Sequence, residues 1–330
     1  MPIVTPSLFS RHRRLIVGAQ IVAVLVFLAF AGWAVKGNFG DAKDGLERAN
    51  LFEFLVGCLF VGAYYLVFVL GWMKILGDWG IRIGYGTALR SEMVSMLAKY
   101  VPGGVWTPAA RMVAMRREGV DDSATVGAAM FVEASLSAIS GVLVFVLSLG
   151  SEHGADVPLA PLLLFTALLV VLLHPRIFNP VASRLVRRFG GDELPPVRWG
   201  SLILLLFFYA FTWVVGGLGL LFIVRAVGNN PHFTSVAFLG GVSAVGAIVG
   251  VLAFFAPSGL GFREATMYGL LLGVTTSGAA LAATALNRIA ITGVEALLFL
   301  VAGVGPWLAR RARRRQRVEA GEAEPPRLEA

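Results

Sequence analysis

Long runs without a single ionisable residue decide which solvent this chain folds in. Residues 15–35, 54–73 and 199–224 contain no Asp, Glu, Lys or Arg, and residues 124–150 contain only Glu133. Residues 157–173 form a shorter run, and residues 289–308 carry only Glu295. An α-helix rises about 1.5 Å per residue, so about 20 apolar residues cover a hydrocarbon core about 30 Å thick. The longer runs meet that length. In lipid every backbone N–H and C=O has to be paired within the protein, and continuous apolar segments of this length satisfy that as helices. The expected fold class is therefore all-α, a polytopic transmembrane helix bundle.

Composition agrees: 57% of the 330 residues are apolar and 15% charged, with mean hydropathy +0.77. No stretch is left over for a separate soluble domain. The net charge of +8 could suggest nucleic acid, but the cations sit beside the spans. Arg11, Arg13 and Arg14, then Arg176, Arg184, Arg187, Arg188 and Arg198, then the arginines of 310–317 mark short cytoplasmic segments under the positive-inside rule. Nucleic acid is therefore not expected as a partner, and both termini are expected in the cytoplasm of a multi-pass cell-membrane protein. The three N-terminal arginines before an apolar run also fit a signal peptide, but the run is too long for an ordinary one, so a retained first helix is expected.

With the N-terminus inside, the basic loops agree if residues 85–117 and 233–274 each enter and leave on one side, as re-entrant elements among six full spans. Two complete spans in place of either element give the same sidedness. The organisation expected is a cytoplasmic N-terminus over 1–13, a membrane domain over 14–311 and a disordered cytoplasmic tail over 312–330. The domain divides into a first half at 14–175, a cytoplasmic hinge at 176–198 rich in Pro and Gly, and a second half at 199–311.

The two elements share a pattern. KYVPGGVWTPAAR at 99–111 and FFAPSGLGFREAT at 254–266 each pass from an apolar approach through Pro, a small residue and Gly into a helix-like exit. Pro102 and Pro257 lie 155 positions apart, as do Gly104 and Gly259, and the same offset sets Glu133 opposite Arg288. With opposed sidedness the halves form inverted repeats, an arrangement many transporters use. Pro and Gly interrupt a helix in lipid only where protein or water satisfies the freed groups. The breaks are accordingly expected to face a cavity, although a packed kink is the alternative. Helix N-termini near Thr107 and Phe262 would offer that cavity a positive dipole end suited to an anion.

At these motifs the chain resembles the lysylphosphatidylglycerol synthase transmembrane region, a flippase-like domain that also occurs alone. The KYVPGG and PSGLGFRE elements and Arg288 within an apolar helix carry the likeness, which spans about residues 14–311. It implies an inverted-repeat bundle with re-entrant helices that moves lipid between leaflets. Ser258 departs from the Gly common at that position. A counterpart of the soluble aminoacyltransferase domain of the fused synthases is not expected after Arg311, and neither is aminoacyl transfer.

An ionisable group near a helix centre costs about 2.5–3.5 kcal/mol on insertion scales, so each needs a partner or a wet path. Glu133 and Arg288 are expected to pair near the pseudo-twofold axis, either locking the halves or serving the substrate. Glu295, seven residues beyond Arg288, would share its face as a second partner or a proton acceptor. Lys99, Arg111 and Arg263 flank the breaks as candidates for a lipid phosphate. Lys99 could equally cap a helix dipole, and Arg263 and Glu264 could neutralise each other. The expected headgroup cavity thus comprises Lys99, Pro102, Gly103, Gly104, Arg111, Glu133, Pro257, Gly259, Arg263, Glu264, Arg288 and Glu295. Arg90 and Glu92 are read as interfacial, and Trp106 as an anchor or part of a cavity wall.

No metal or cofactor is expected. Cys58 is the only cysteine, and the four histidines form no HExxH pair. There is no GxxxxGK[ST] phosphate loop. DAKDGLER at 41–48 is similar to the signature of membrane CDP-alcohol phosphotransferases, but Val61 and Tyr65 stand where the remaining acidic ligands belong. The expected function is movement of an anionic phospholipid or polyprenyl-phosphate-linked lipid between leaflets. The alternative is a membrane enzyme, or an accessory subunit, of envelope lipid or glycan assembly. Membrane lipids are the expected partners, with a lipid-modifying enzyme and homo-oligomerisation left open.

Overall fold

The computed structural model describes residues 39–101, 106–149, 159–188 and 195–304. The first apolar run, the N-terminal segment, the C-terminal tail, and Pro102, Gly103 and Gly104 of the first motif lie outside the described residues.

Among the described residues there are helices and no strands. In chain order they are α1 (Phe39–Glu47), α2 (Leu51–Asp78), α3 (Tyr85–Ala98), α4 (Trp106–Arg116), α5 (Ser123–Ser148), α6 (Leu159–Leu173), α7 (Pro175–Arg188), α8 (Trp199–Ala226), α9 (Val236–Leu252), α10 (Phe262–Leu271) and α11 (Ser277–Phe299). Starts are set by side chains that accept otherwise unpaired N–H groups. Asn50 accepts from Phe52 and Glu53 ahead of α2, and Asp122 accepts from Thr125 ahead of α5.

Five helical stretches are long and apolar enough to span a membrane: Leu51–Asp78, Ser123–Ser148, Trp199–Ala226, Phe233–Leu252 and Ser277–Ala302. α6 and α7, bent by 67° at His174, make a sixth if they count as one span. Two expected boundaries move. The last span begins at Ser277, well before residue 289, because Thr276 caps it by accepting from Ala279. Within 233–274, the 20-residue stretch Phe233–Leu252 is long enough to cross, whereas α10 has only 10 residues. In the first element neither α3, with 14 residues, nor α4, with 11, has that length. The first part of the expected hinge is helical: α7 carries Arg176, Arg184, Arg187 and Arg188 on its exposed face.

α2, α5, α8 and α9 form the packed centre. Small residues allow it. A Cβ on Gly57 would meet Ile223 Cγ1 at 2.8 Å, and one on Gly217 would meet the Gly240 nitrogen at 2.7 Å, so α2 approaches α8 and α8 approaches α9 backbone to backbone. The outer faces keep large apolar side chains exposed, among them Leu51, Phe52 and Leu59 of α2 and Phe207 and Phe211 of α8. In a bilayer these meet acyl chains rather than water.

The bundle has two distinct ends. At one, Arg90 of α3 pairs with Glu118 beyond α4 at 3.4 Å, and Trp79 stacks on Phe178. At the other, the Asn50 N–H donates to the Ala226 carbonyl at 2.8 Å, and Asn229 donates to Thr275 at 2.5 Å. Arg90 with Glu118 closes the open end of the α3–α4 pair, and Asn229 with Thr275 does the same for the α9–α10 pair.

Candidate functional site

The two interruptions touch. The N–H of Ser258 donates to the carbonyl of Lys99 at 2.8 Å, so the chain leaving α3 meets the chain leaving α9. Ser258 reaches this position with φ +53, a left-handed conformation that a side chain disfavours and Gly adopts freely. Gly259 and Gly261 follow with φ +65 and +86. The Gly261 N–H donates to Glu264 Oε2 at 2.6 Å, which starts α10. Pro257 begins the 3₁₀ turn Pro257–Gly259 that holds this geometry.

Around the contact lies a cluster drawn from four parts of the chain. Arg288 of α11 pairs with Glu264 at 3.1 Å and donates to the Ser258 carbonyl at 3.3 Å. Glu295, two turns along α11, accepts from Lys99 and from Tyr65 of α2, and from the Tyr100 hydroxyl at 3.0 Å. The Tyr100 ring is within cation–π range of both cations, 5.4 Å from Lys99 Nζ and 5.6 Å from the Arg288 guanidinium. Arg263 is half-buried, within electrostatic reach of Tyr65 and Lys99, and has no carboxylate partner among the described residues. Lys99, Arg263 and Arg288 against Glu264 and Glu295 leave one net positive charge. Lys99 and Arg288 each keep 19% of the side chain exposed, and Glu264 24%. The cluster is partly open at Lys99, Arg288 and Glu264 and buried at Glu295, whose side chain is 1% exposed.

A second cluster is sealed. Arg111 of α4 contacts Glu92 of α3 and pairs with Glu133 of α5 at 2.5 Å. Its Nε donates to Ser95 at 3.3 Å, and its guanidinium lies 4.7 Å from the centre of the Trp72 ring. Side-chain exposure is 2% for Arg111, 0% for Glu92 and 6% for Glu133. Removing one member of a buried ion pair costs about 3–5 kcal/mol, because the remaining charge stays desolvated.

Several expectations are corrected by this geometry. Glu133 does not pair with Arg288; each instead pairs with the short arm beside it, Glu133 with Arg111 and Arg288 with Glu264. Glu295 shares a face with Arg288, as the seven-residue spacing requires, but bonds Lys99. Lys99 is therefore more than a dipole cap, and Glu264 engages Arg288 rather than Arg263. Glu92 is fully buried rather than interfacial, while Arg90 pairs with Glu118. Arg111 and Glu133 do not line the open cluster. Trp106 is 42% exposed at the start of α4. Sequence reasoning misses Tyr65, Tyr100 and the buried role of Glu92. Tyr100 carries a signal, since it directly precedes the first Pro-Gly motif. Glu92 carries a weaker one, an acid among the serines of a short apolar helix.

A cavity of about 410 Å³ lined by Lys74, Asp78, Trp79, Val132, Arg198 and Leu205 shares no residue with either cluster. Among the described residues no group of His, Cys, Asp and Glu is arranged to hold a metal ion.

Comparison with known proteins agrees with these motifs. The family model described as the lysylphosphatidylglycerol synthase TM region matches residues 17–299. No curated protein matches the chain.

Proposed function

Starting from a chain that belongs to the lysylphosphatidylglycerol synthase transmembrane-region family, we propose that it moves a lipid with an anionic headgroup between membrane leaflets, the headgroup entering the open cluster while the acyl or prenyl chains stay in lipid. In this reading Lys99, Arg263 and Arg288 receive the phosphate, Arg through its paired N–H donors and Lys as a point charge. Tyr100 is within reach of Lys99 and Arg288, and Glu264 and Glu295 hold Arg288 and Lys99 in place. Replacing part of the headgroup's hydration lowers the barrier to its passage through the hydrocarbon. No covalent bond is made or broken.

The observation that carries this reading is the Ser258 to Lys99 hydrogen bond, which brings three cations of separate elements round one partly open point. The pairing of ions within each half supports an inverted repeat. In the first half the arm supplies Arg111 and the following helix Glu133; in the second the arm supplies Glu264 and the helix Arg288. The signs are exchanged and the roles kept. The ends closed by Arg90 with Glu118 and by Asn229 with Thr275 favour two elements that each enter and leave on one side, from opposite sides. The basic segments favour cytoplasmic termini in a cell membrane, and a lipid-modifying enzyme that consumes the delivered lipid would give transport a direction.

The test is reconstitution of the full chain into liposomes containing fluorescent phosphatidylglycerol or a fluorescent polyprenyl phosphate, with dithionite quenching of the outer leaflet. Accelerated transbilayer movement over protein-free vesicles is the expected result. No acceleration with either lipid removes the proposal.

A further inference from the structure

The sealed cluster holds more negative than positive charge. Glu92 and Glu133 approach one guanidinium, Arg111, from two different helices. No other cation among the described residues pairs with Glu92 or Glu133, and Arg263, within electrostatic reach of the Tyr64 hydroxyl, belongs to the open cluster. Lys99, the next nearest in electrostatic terms, is held by Glu295. The other elements packed on α3, α4 and α5 do not supply one either. From α2 come the Trp72 ring and the Tyr64 hydroxyl, and from α8 the Tyr209 hydroxyl. α11 adds only the carboxylate of Glu295. α6 and α9 have no ionisable side chain, and the arginines of α7 face outward. An uncompensated charge in so buried a place is removed most readily by binding a proton.

A second, independent observation points the same way. Glu133 Oε1 and the Tyr209 hydroxyl are buried without a hydrogen-bond partner among the described residues, and Tyr209 is 0% exposed. Tyr209 lies within electrostatic reach of Glu133, Glu92 and Arg111 alike. Glu92 Oε1 is likewise unpartnered, so each acid keeps one carboxylate oxygen free to receive a proton.

We infer that Glu92, Arg111 and Glu133 form a proton-binding site in which two carboxylates share one proton over a single guanidinium. The proton belongs to the pair and not to either acid. It is distinct from the open cluster, and it moves the proton-accepting role expected of Glu295 to the acids of the first half. Resting on the transport reading, the site gives that reading a driving force. Lys99 and Glu295 of the open cluster are both felt by Glu92, so the two clusters are linked electrostatically.

Infrared difference spectroscopy of the full chain in lipid nanodiscs, acid minus alkaline, tests the site without any transport assay. The expected result is a carbonyl stretch of a protonated carboxylic acid that titrates and is abolished by Glu92→Gln and equally by Glu133→Gln, since either leaves one acid for one arginine. Glu133→Asp, which keeps the carboxyl, should retain the band at a shifted frequency and covers the case of a Gln variant that does not fold. Absence of a titrating carboxyl band over the pH range in which the protein stays folded overturns the inference, as does a band that survives both Gln substitutions. In liposomes, a pH gradient should change fluorescent phosphatidylglycerol movement several-fold in the native protein and not in Glu133→Gln. A triad-dependent band without any lipid movement would uphold the proton site and remove the transport reading.

Discussion

Ser258 donates its backbone N–H to the carbonyl of Lys99 at 2.8 Å across the centre of the molecule. The bond joins two chain segments that have each stopped being helical, so it satisfies groups the interruptions leave free. It also fixes how Arg288, which bonds the carbonyl of the same serine, stands relative to Lys99. Local backbone geometry therefore sets the spacing of the cations.

That geometry makes the second break sensitive to side-chain size in a specific order. Ser258→Gly removes the left-handed penalty of about 1–2 kcal/mol but adds freedom to the unfolded chain worth about 0.5–1 kcal/mol. It is expected to be neutral or stabilising by about 1 kcal/mol. Gly259→Ala is different: its Cβ would stand 2.8 Å from the Gly250 carbonyl oxygen, in a backbone that L side chains disfavour. A loss of about 2–3 kcal/mol is expected. Denaturant unfolding in mixed micelles ranks the two, and the reverse order would contradict the turn described.

The sealed and open clusters should respond differently to loss of an arginine. Arg111→Gln strands two buried carboxylates, with an expected cost of about 3–5 kcal/mol. Arg288→Gln acts where the side chains of Arg288 and Glu264 keep 19% and 24% of their exposure, and a cost of about 1 kcal/mol or less is expected. The same micelle assay compares them. Equal losses would show that the two clusters do not differ in burial.

Much of this arrangement was legible because it is local. Pro257, Gly259 and Gly261 announce a break in any apolar helix, and uncharged runs announce spans whether or not their partners are known. Ion pairing is less legible in the sequence. The 155-residue offset would set Glu133 and Arg288 in equivalent places of a repeat, but equivalence is not contact. Each finds its partner on the arm of its own half, 22 and 24 positions away. Glu295 bonds Lys99 and Tyr65 across 196 and 230 positions. No periodicity within one helix encodes a contact at that separation. Tyr65 in particular lies in an apolar run where an aromatic residue reads as a lipid-facing or packing side chain, and only the approach of α11 gives its hydroxyl a role.

Arg263 offers a separation of stability from function. It has no carboxylate partner among the described residues, so Arg263→Gln breaks no ion pair there and is expected to change unfolding by under about 0.5 kcal/mol. A charge-assisted contact to a phosphate is worth about 1.5–3 kcal/mol, so anionic lipid movement should fall by about tenfold or more. Zwitterionic phosphatidylcholine serves as the control. Unchanged movement of fluorescent phosphatidylglycerol would take Arg263 out of the headgroup path.

The pairing itself can be measured by double-mutant cycles, which isolate an interaction from the effects of each side chain alone. Lys99→Met with Glu295→Gln should show coupling of about 1–3 kcal/mol, since the two side chains are in contact and Glu295 is 1% exposed. Glu133→Gln with Arg288→Gln should couple by less than about 0.5 kcal/mol, because each side chain is engaged by another partner. A charge swap of Glu133→Arg with Arg288→Glu should likewise fail to rescue either single variant. In that swap the guanidinium introduced at position 133 would face Arg111, and the carboxylate introduced at position 288 would face Glu264. Like charges would then meet at both places, and the double variant should be worse than either single one. Rescue by the swap would restore a direct contact between the halves through those two positions, and the assignment of each ion to the arm of its own half would have to be abandoned.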